Sequence, residues 1–136
     1  MSSVLLTTTV KEVMEKDLAP VDENTSAAQA VKTMVDKKVW SIVVTSKGLP
    51  VGVMTERDCI RRCIARDLDH KTTPVSKLMS SPLITVLPDT RVGEALSLMV
   101  KKQIRRLYVV DDGKVVGRVT QTGVLSNTME MFKSLS

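Results

Sequence analysis

The stretch Gly52-Val53-Met54-Thr55-Glu56-Arg57-Asp58 carries residue types that could hold a phosphate and a sugar. An apolar run ends there and a helical pattern begins near Thr55. Free N–H groups and the positive end of a helix dipole favour an anion at such a start. The Thr55 hydroxyl can donate a hydrogen bond, and the two Asp58 oxygens can accept from both hydroxyls of a ribose. The same Thr-x-x-Asp spacing also closes a helix start locally, each side chain capping the other's backbone. Spacing alone leaves both roles open. An arginine pair, Arg105-Arg106, precedes the apolar run Leu107–Val110. Successive strand residues face opposite sides, so one of the pair should point inward. A guanidinium fork suits phosphate, and a solvated edge is the alternative.

Other combinations exclude more than they suggest. Cys59, Cys63 and the lone His70 lack a fourth ligand and a Cys-x-x-Cys pair, which argues against structural zinc. The two cysteines alternate with Ile60 and Ile64 and read as small hydrophobes with reduced thiols. One histidine leaves little room for acid–base chemistry, and no nucleophilic triad emerges, so the chain is not expected to be an enzyme. Arg57, Arg61, Arg62 and Arg66 crowd one helix, with Lys37 and Lys38 elsewhere. No established DNA-reading motif accompanies them, and with aromatics at 2% the stacking surfaces of single-strand binders are missing. Phosphates of a bound nucleotide are the simpler partner for part of that charge.

The elements that position these residues occur twice. An offset of 65 positions matches the chain to itself without a gap from about Val10 to Ala65. Met14 lands on Met79, Thr25 on Thr90, Met34 on Met99, Gly52 on Gly117 and Thr55 on Thr120. Each copy reads β-α-β-β-α. A brief extended stretch, Leu18–Val21 or Leu83–Leu87, leads into a helix with Thr25 or Thr90 as N-cap. Ala27, Ala30, Val31, Met34 and Val35 line one buried helix face, and Val92, Ala95, Leu96, Met99 and Val100 line its counterpart. Hairpins follow: Ser41–Thr45 with Val51–Met54, and Leu107–Val110 with Val115–Thr120. The closing helices span Glu56–Arg66 and Gln121–Phe132. The organisation is an N-terminal segment 1–9, a repeat over 10–66, a polar linker 67–74, a repeat over 75–132 and a tail 133–136. Copy two keeps Gly117 and Thr120 but has Gly123 where copy one has Asp58, so two unequal sites are expected.

The chain has 136 residues, a net charge of +5 and 43% hydrophobic residues. That is an ordinary soluble globular composition for one or two small domains. No apolar run approaches the roughly 20 residues that span a bilayer. Met1 to Val10 lacks a secretory pattern, so a cytoplasmic location is expected.

The duplicated unit resembles a cystathionine-β-synthase (CBS) domain pair, also called a Bateman module. The resemblance rests on Val10-Lys11-Glu12-Val13-Met14, Val75-Ser76-Lys77-Leu78-Met79, Pro88-Asp89-Thr90, Ile104 to Asp111, and Gly52 to Asp58. It covers nearly the whole chain. It implies a mixed α/β (α+β) fold of two repeats related by a pseudo-twofold axis. It also implies a regulatory ligand sensor that binds an adenosine-containing nucleotide (AMP, ADP, ATP, S-adenosylmethionine or NAD) in the cleft between the copies. No cofactor is required. A homodimer built through helices would signal by shape change to a regulated protein still to be identified, with no membrane partner. By the same resemblance, Thr55 and Asp58 contact phosphate and ribose, with Val53 and Met54 in the same motif and Thr120 its second-copy counterpart. Adenine packs on Pro82-Leu83-Ile84, and Trp40, Ser41, Arg105 and Arg106 face the phosphates. The alternatives are a protein-interaction module with vestigial sites and a nucleic-acid-associated protein.

Overall fold

The computed structural model describes residues 7–81 and 83–135. Contacts divide them into two compact units. The first, Leu18–Leu83, is here the Asp58 unit; the described residues up to Asp17 and from Ile84 onward form the Gly123 unit. In the Asp58 unit β1 (Val21–Asp22) runs parallel to β2 (Ser41–Ser46), which pairs antiparallel with β3 (Leu49–Thr55). In the Gly123 unit β4 (Thr85–Val86), β5 (Arg106–Asp111) and β6 (Lys114–Thr120) repeat that order and direction. Both hairpins turn on a non-glycine residue followed by glycine, Lys47-Gly48 and Asp112-Gly113, all four at positive φ. That geometry matches the twist of the flanking strands.

The helices are α1 (Val10–Val13), α2 (Ala27–Lys37), α3 (Glu56–Cys59), α4 (Val92–Lys102) and α5 (Gln121–Leu135). Two of the expected features are corrected. The N-caps are Ser26 and Arg91, one residue after the expected Thr25 and Thr90. The Ser26 hydroxyl accepts from Gln29 N at 3.2 Å, whereas Arg91 has no capping side-chain bond. The expected single helix over 56–66 is α3 followed by a π-helical turn, Ile60–Ile64, in which Ala65 N donates to Ile60 O at 2.8 Å. That wider turn sets Arg62 apart from its arginine neighbours: it is half-buried and donates to the carbonyls of Leu78 and Met79 at 3.2 and 2.8 Å, while Arg57, Arg61 and Arg66 are exposed.

Each unit is built from parts of both repeats. The opening segment of repeat two, with its 3-10 turn Val75–Lys77, buries Val75 and Leu78 in the core around Ile42, Val44 and Met54. The opening segment of repeat one buries Val10 among Leu107, Val109 and Val119. A fully buried valine contributes roughly 1.5–3 kcal/mol, so each segment is anchored to the sheet of the other repeat. The backbone bonds repeat as well. Val75 N donates to Thr25 O and Val10 N to Thr90 O, both at 2.8 Å. Ser80 exchanges backbone bonds with Val53 as Glu15 does with Arg118. The close approach explains the repeated Gly–Met pairing. A Cβ on Gly52 would stand 2.7 Å from Met79 Sδ, and one on Gly117 would stand 2.7 Å from Met14 Cγ.

The apolar helix stripes are wider than what is buried. Ala27, Ala30 and Met34 are buried in α2, and Val92, Ala95 and Met99 in α4. Val31, Val35 and Val100, expected on the buried faces, are exposed, and Leu96 is half-buried. Among the described residues, no helix is long and apolar enough to cross a membrane.

Candidate functional site

The β2–β3 register sets Ser41 directly opposite Thr55. Thr55 ends β3 in an extended conformation and caps α3, which brings Asp58 back over it one turn later. Thr55 N donates to Asp58 Oδ2 at 2.9 Å, and Asp58 N donates to Thr55 Oγ1 at 3.1 Å. This is a reciprocal capping box, the local alternative left open by the spacing. It occupies one carboxylate oxygen; Oδ1 makes no hydrogen bond among the described residues. Ser41 is buried, while Thr55 and Asp58 are half-buried. The station Ser41–Thr55–Asp58 therefore offers one free carboxylate oxygen beside two hydroxyls.

The β5–β6 register places Arg106 opposite Thr120 in the same way. Gly123 N donates to Thr120 Oγ1 at 2.9 Å, so half of the box survives where the acid is missing. Arg105 is exposed and Arg106 half-buried. The Nη1 atom of Arg106 is buried without a hydrogen-bond partner among the described residues. The second station thus carries a cation and a hydroxyl and lacks the acid.

The remaining residues fall elsewhere. The Met54 side chain is fully buried in the core, leaving only its backbone for a ligand. Val53 is half-buried and tied to Ser80 through both backbone groups. Trp40 is 68% exposed and lines an apolar groove between α2 and the α3–π helix, with a volume of about 380 Å³. Its carbonyl accepts from Glu56 N at 3.1 Å, as the carbonyl of Arg105 accepts from Gln121 N. Leu83 and Ile84 are half-buried where the chain passes from one unit to the next, and Ile84 O accepts from Tyr108 N at 3.0 Å. Pro82 lies outside the described residues.

Cys59 and Cys63 are buried free thiols, and Cys63 Sγ donates to Leu68 O at 3.6 Å. Burial first, then the neighbouring Cys63 and Asp58, push the Cys59 thiol above its ordinary value of 9.0. A thiol held protonated is a poor nucleophile and a poor metal ligand.

Two interactions escape a reading of the sequence. Arg118, buried in β6, forms an ion pair with Glu15 at 2.9 Å, across a separation of 103 residues. Arg62 reaches carbonyls beyond the polar linker. Neither has a local spacing signal. The only hint of the first is its asymmetry, since Arg118 and Glu15 correspond to Val53 and Ser80 in the offset alignment.

The CBS domain family model matches residues 10–65 and 75–130. The chain is 35% identical over 120 residues to the CBS domain-containing protein YhcV of Bacillus subtilis, covering 88% of this chain and 85% of that protein. It is 36% identical over 118 residues to an uncharacterised protein, MK0525, of Methanopyrus kandleri, covering 85% of this chain and 60% of that protein's length. Among solved structures, an uncharacterised conserved protein from Pyrococcus horikoshii superposes with a TM-score of 0.84 at 33% identity, covering 90% of this chain and 93% of that one. A putative signal-transduction protein with CBS domains from Burkholderia ambifaria superposes at 0.83 with 25% identity, covering 90% and 95%.

Proposed function

Because the chain belongs to the CBS domain family, with one copy in each repeat, we propose that it senses an adenosine-containing nucleotide through Asp58 and Thr55. Tandem CBS domains are in general regulatory, ligand-binding modules. The observation that carries the nucleotide reading is the Asp58 carboxylate. Its Oδ2 closes the helix cap, and its Oδ1 is free to accept from a ribose hydroxyl. Thr55 and Ser41 add hydroxyls beside it. Within the Gly123 unit, the buried Arg106 Nη1 without an acceptor among the described residues is costly and would suit an anion at that station.

Regulation follows from differential affinity. A ligand that binds one arrangement of the protein more tightly shifts the population toward it, by no more than that difference. The uncovered apolar helix faces support signalling through a homodimer. A structural module without a ligand is the second reading, favoured by the capping box, which satisfies Thr55 N and Asp58 Oδ2 internally.

Thermal unfolding with AMP, ADP, ATP, S-adenosylmethionine and NAD, added one at a time, separates the two. A ligand at one hundred times its dissociation constant adds about 2.7 kcal/mol if it binds only the folded state. Asp58→Asn keeps an oxygen for Thr55 N and removes the charge, so it should abolish the shift at unchanged basal stability. No shift with any of the five compounds favours the structural module.

A further inference from the structure

We propose, resting on the Asp58 nucleotide reading above, that Arg62 is the positioning residue of that station. Its guanidinium braces the helix that carries Asp58 against the backbone that β3 pairs with. The carboxylate is thereby held in place before ribose hydroxyls meet it.

The brace uses carbonyls that have no other partner. Arg62 stands one helical turn after Asp58, inside the π turn Ile60–Ile64. Its Nη1 donates to Leu78 O at 3.2 Å and to Met79 O at 2.8 Å. No other donor reaches either carbonyl among the described residues. Backbone carbonyls withdrawn from water need partners, and a charged donor makes the stronger bond. Met79 leads directly into Ser80, which exchanges backbone bonds of 2.8 and 2.9 Å with Val53. Val53 lies two residues before Thr55, and Thr55 and Asp58 cap each other. The connections close into a ring: Asp58, Arg62, Met79, Ser80, Val53, Thr55 and back to Asp58. Every member belongs to the Asp58 unit.

The Gly123 unit has the other links of this ring without the brace. Glu15 exchanges backbone bonds with Arg118, and Thr120 Oγ1 accepts from Gly123 N at 2.9 Å. At the offset of 65 the counterpart of Arg62 is Asn127. Asn127 is exposed and makes no side-chain hydrogen bond among the described residues. It lies within the α-helix Gln121–Leu135, not in a π turn. The acid, the arginine and the π turn thus occur together in one unit and are replaced together in the other. The threonine cap alone needs no brace, as Thr120 and Gly123 show. What Arg62 adds is a fixed place for the helix that bears the acid. A group held in its binding position beforehand binds more tightly, because less freedom is lost on association.

Isothermal titration with AMP and ATP, each beside its 2′,3′-dideoxy form, tests the role. Arg62→Met keeps the apolar stem and removes every donor. It should weaken AMP and ATP about fivefold to tenfold and the dideoxy forms by less than about twofold, since these lack the hydroxyls that Asp58 holds. Arg62→Lys returns a cationic donor and should recover part of the lost affinity. Urea unfolding of each variant confirms the fold; should Arg62→Met not fold, Arg62→Gln carries the same comparison. Amide exchange without ligand supplies a second readout. The Asp58 N–H should exchange about tenfold faster in Arg62→Met, and the Gly123 N–H should keep its wild-type rate. Equal weakening of the parent and dideoxy forms, unchanged affinity for AMP and ATP, or an unchanged Asp58 exchange rate overturns the positioning role and leaves the Asp58 reading standing. A wild type that binds neither nucleotide, or holds each dideoxy form as tightly as its parent, overturns both.

Discussion

The stations Ser41–Thr55–Asp58 and Arg106–Thr120–Gly123 are cut from one template, yet they offer opposite chemistry. Strand register and the threonine cap are the same in both. What differs is the residue across from the threonine and the residue three positions after it. One station has a hydroxyl and an acid; the other has a guanidinium and a glycine with no side chain. Duplication preserved the backbone device, and substitution at its two open positions set the charge. Geometry near Gly123 explains part of the difference. A Cβ there would stand 3.7 Å from Glu15 Oε1, which already pairs with Arg118. An acid at position 123 would meet that carboxylate.

Substitutions at matched positions sharpen the comparison. The largest effect is expected at the close-packed glycines. An added Cβ at Gly52 would stand 2.8 Å from the backbone oxygen of Ser80, which is itself bonded to Val53 N. Gly52→Ala should cost about 1–3 kcal/mol in denaturant unfolding, and Met79→Ala should not rescue it. At Gly117 the nearest atoms all belong to the Met14 side chain. Gly117→Ala should therefore be largely rescued by Met14→Ala. Equal rescue at both glycines would refute this distinction.

The acid position comes next. Asp58→Ala removes half of the capping box and should cost about 1 kcal/mol without ligand. Gly123→Asp should be nearly neutral, because the capping gain is offset by repulsion from Glu15. Combined with Glu15→Gln, which keeps an oxygen for Arg118, the added acid should stabilise by about 1 kcal/mol relative to Glu15→Gln alone. Chemical denaturation of the set checks the sign of each step.

A smaller contrast lies at the caps of α2 and α4. Ser26→Ala should cost about 1 kcal/mol, and Arg91→Ser should add several tenths of that. A measured loss at Arg91→Ser would show that its side chain has another role. The smallest effect is expected from Cys59, whose counterpart is Val124. The folded thiol titrates above 9.0, so above that pH the unfolded chain releases its proton first and stability falls as pH rises. Cys59→Val should remove that part of the alkaline loss. A Cys59→Val pH profile parallel to wild type above 9.0 would count against the shift.

Much of this organisation was legible in the residues, for identifiable reasons. The helix period, the glycine turns and the offset of 65 gave the element order, because they depend on local spacing. Thr55 and Asp58 were recognisable as a pair because capping is local. The exchange of opening segments was not legible: Val10 and Val75 fit either sheet by hydrophobicity, and only their partners distinguish the two. The π turn was invisible because Ile60–Ile64 has an ordinary helical composition, and Arg62 looked like one more solvated arginine. Val35 and Val100 fit the buried stripe by periodicity alone, which cannot tell a core position from an exposed apolar one.

The central claim is that the Asp58 station takes a nucleotide and the Gly123 station does not take it equally. Isothermal titration of the wild type and of Asp58→Asn with the nucleotide that gives the largest thermal shift tests it most directly. One strong site per chain is expected in the wild type and none of comparable strength in Asp58→Asn. Two equal sites per chain, or binding unchanged in Asp58→Asn, would contradict it.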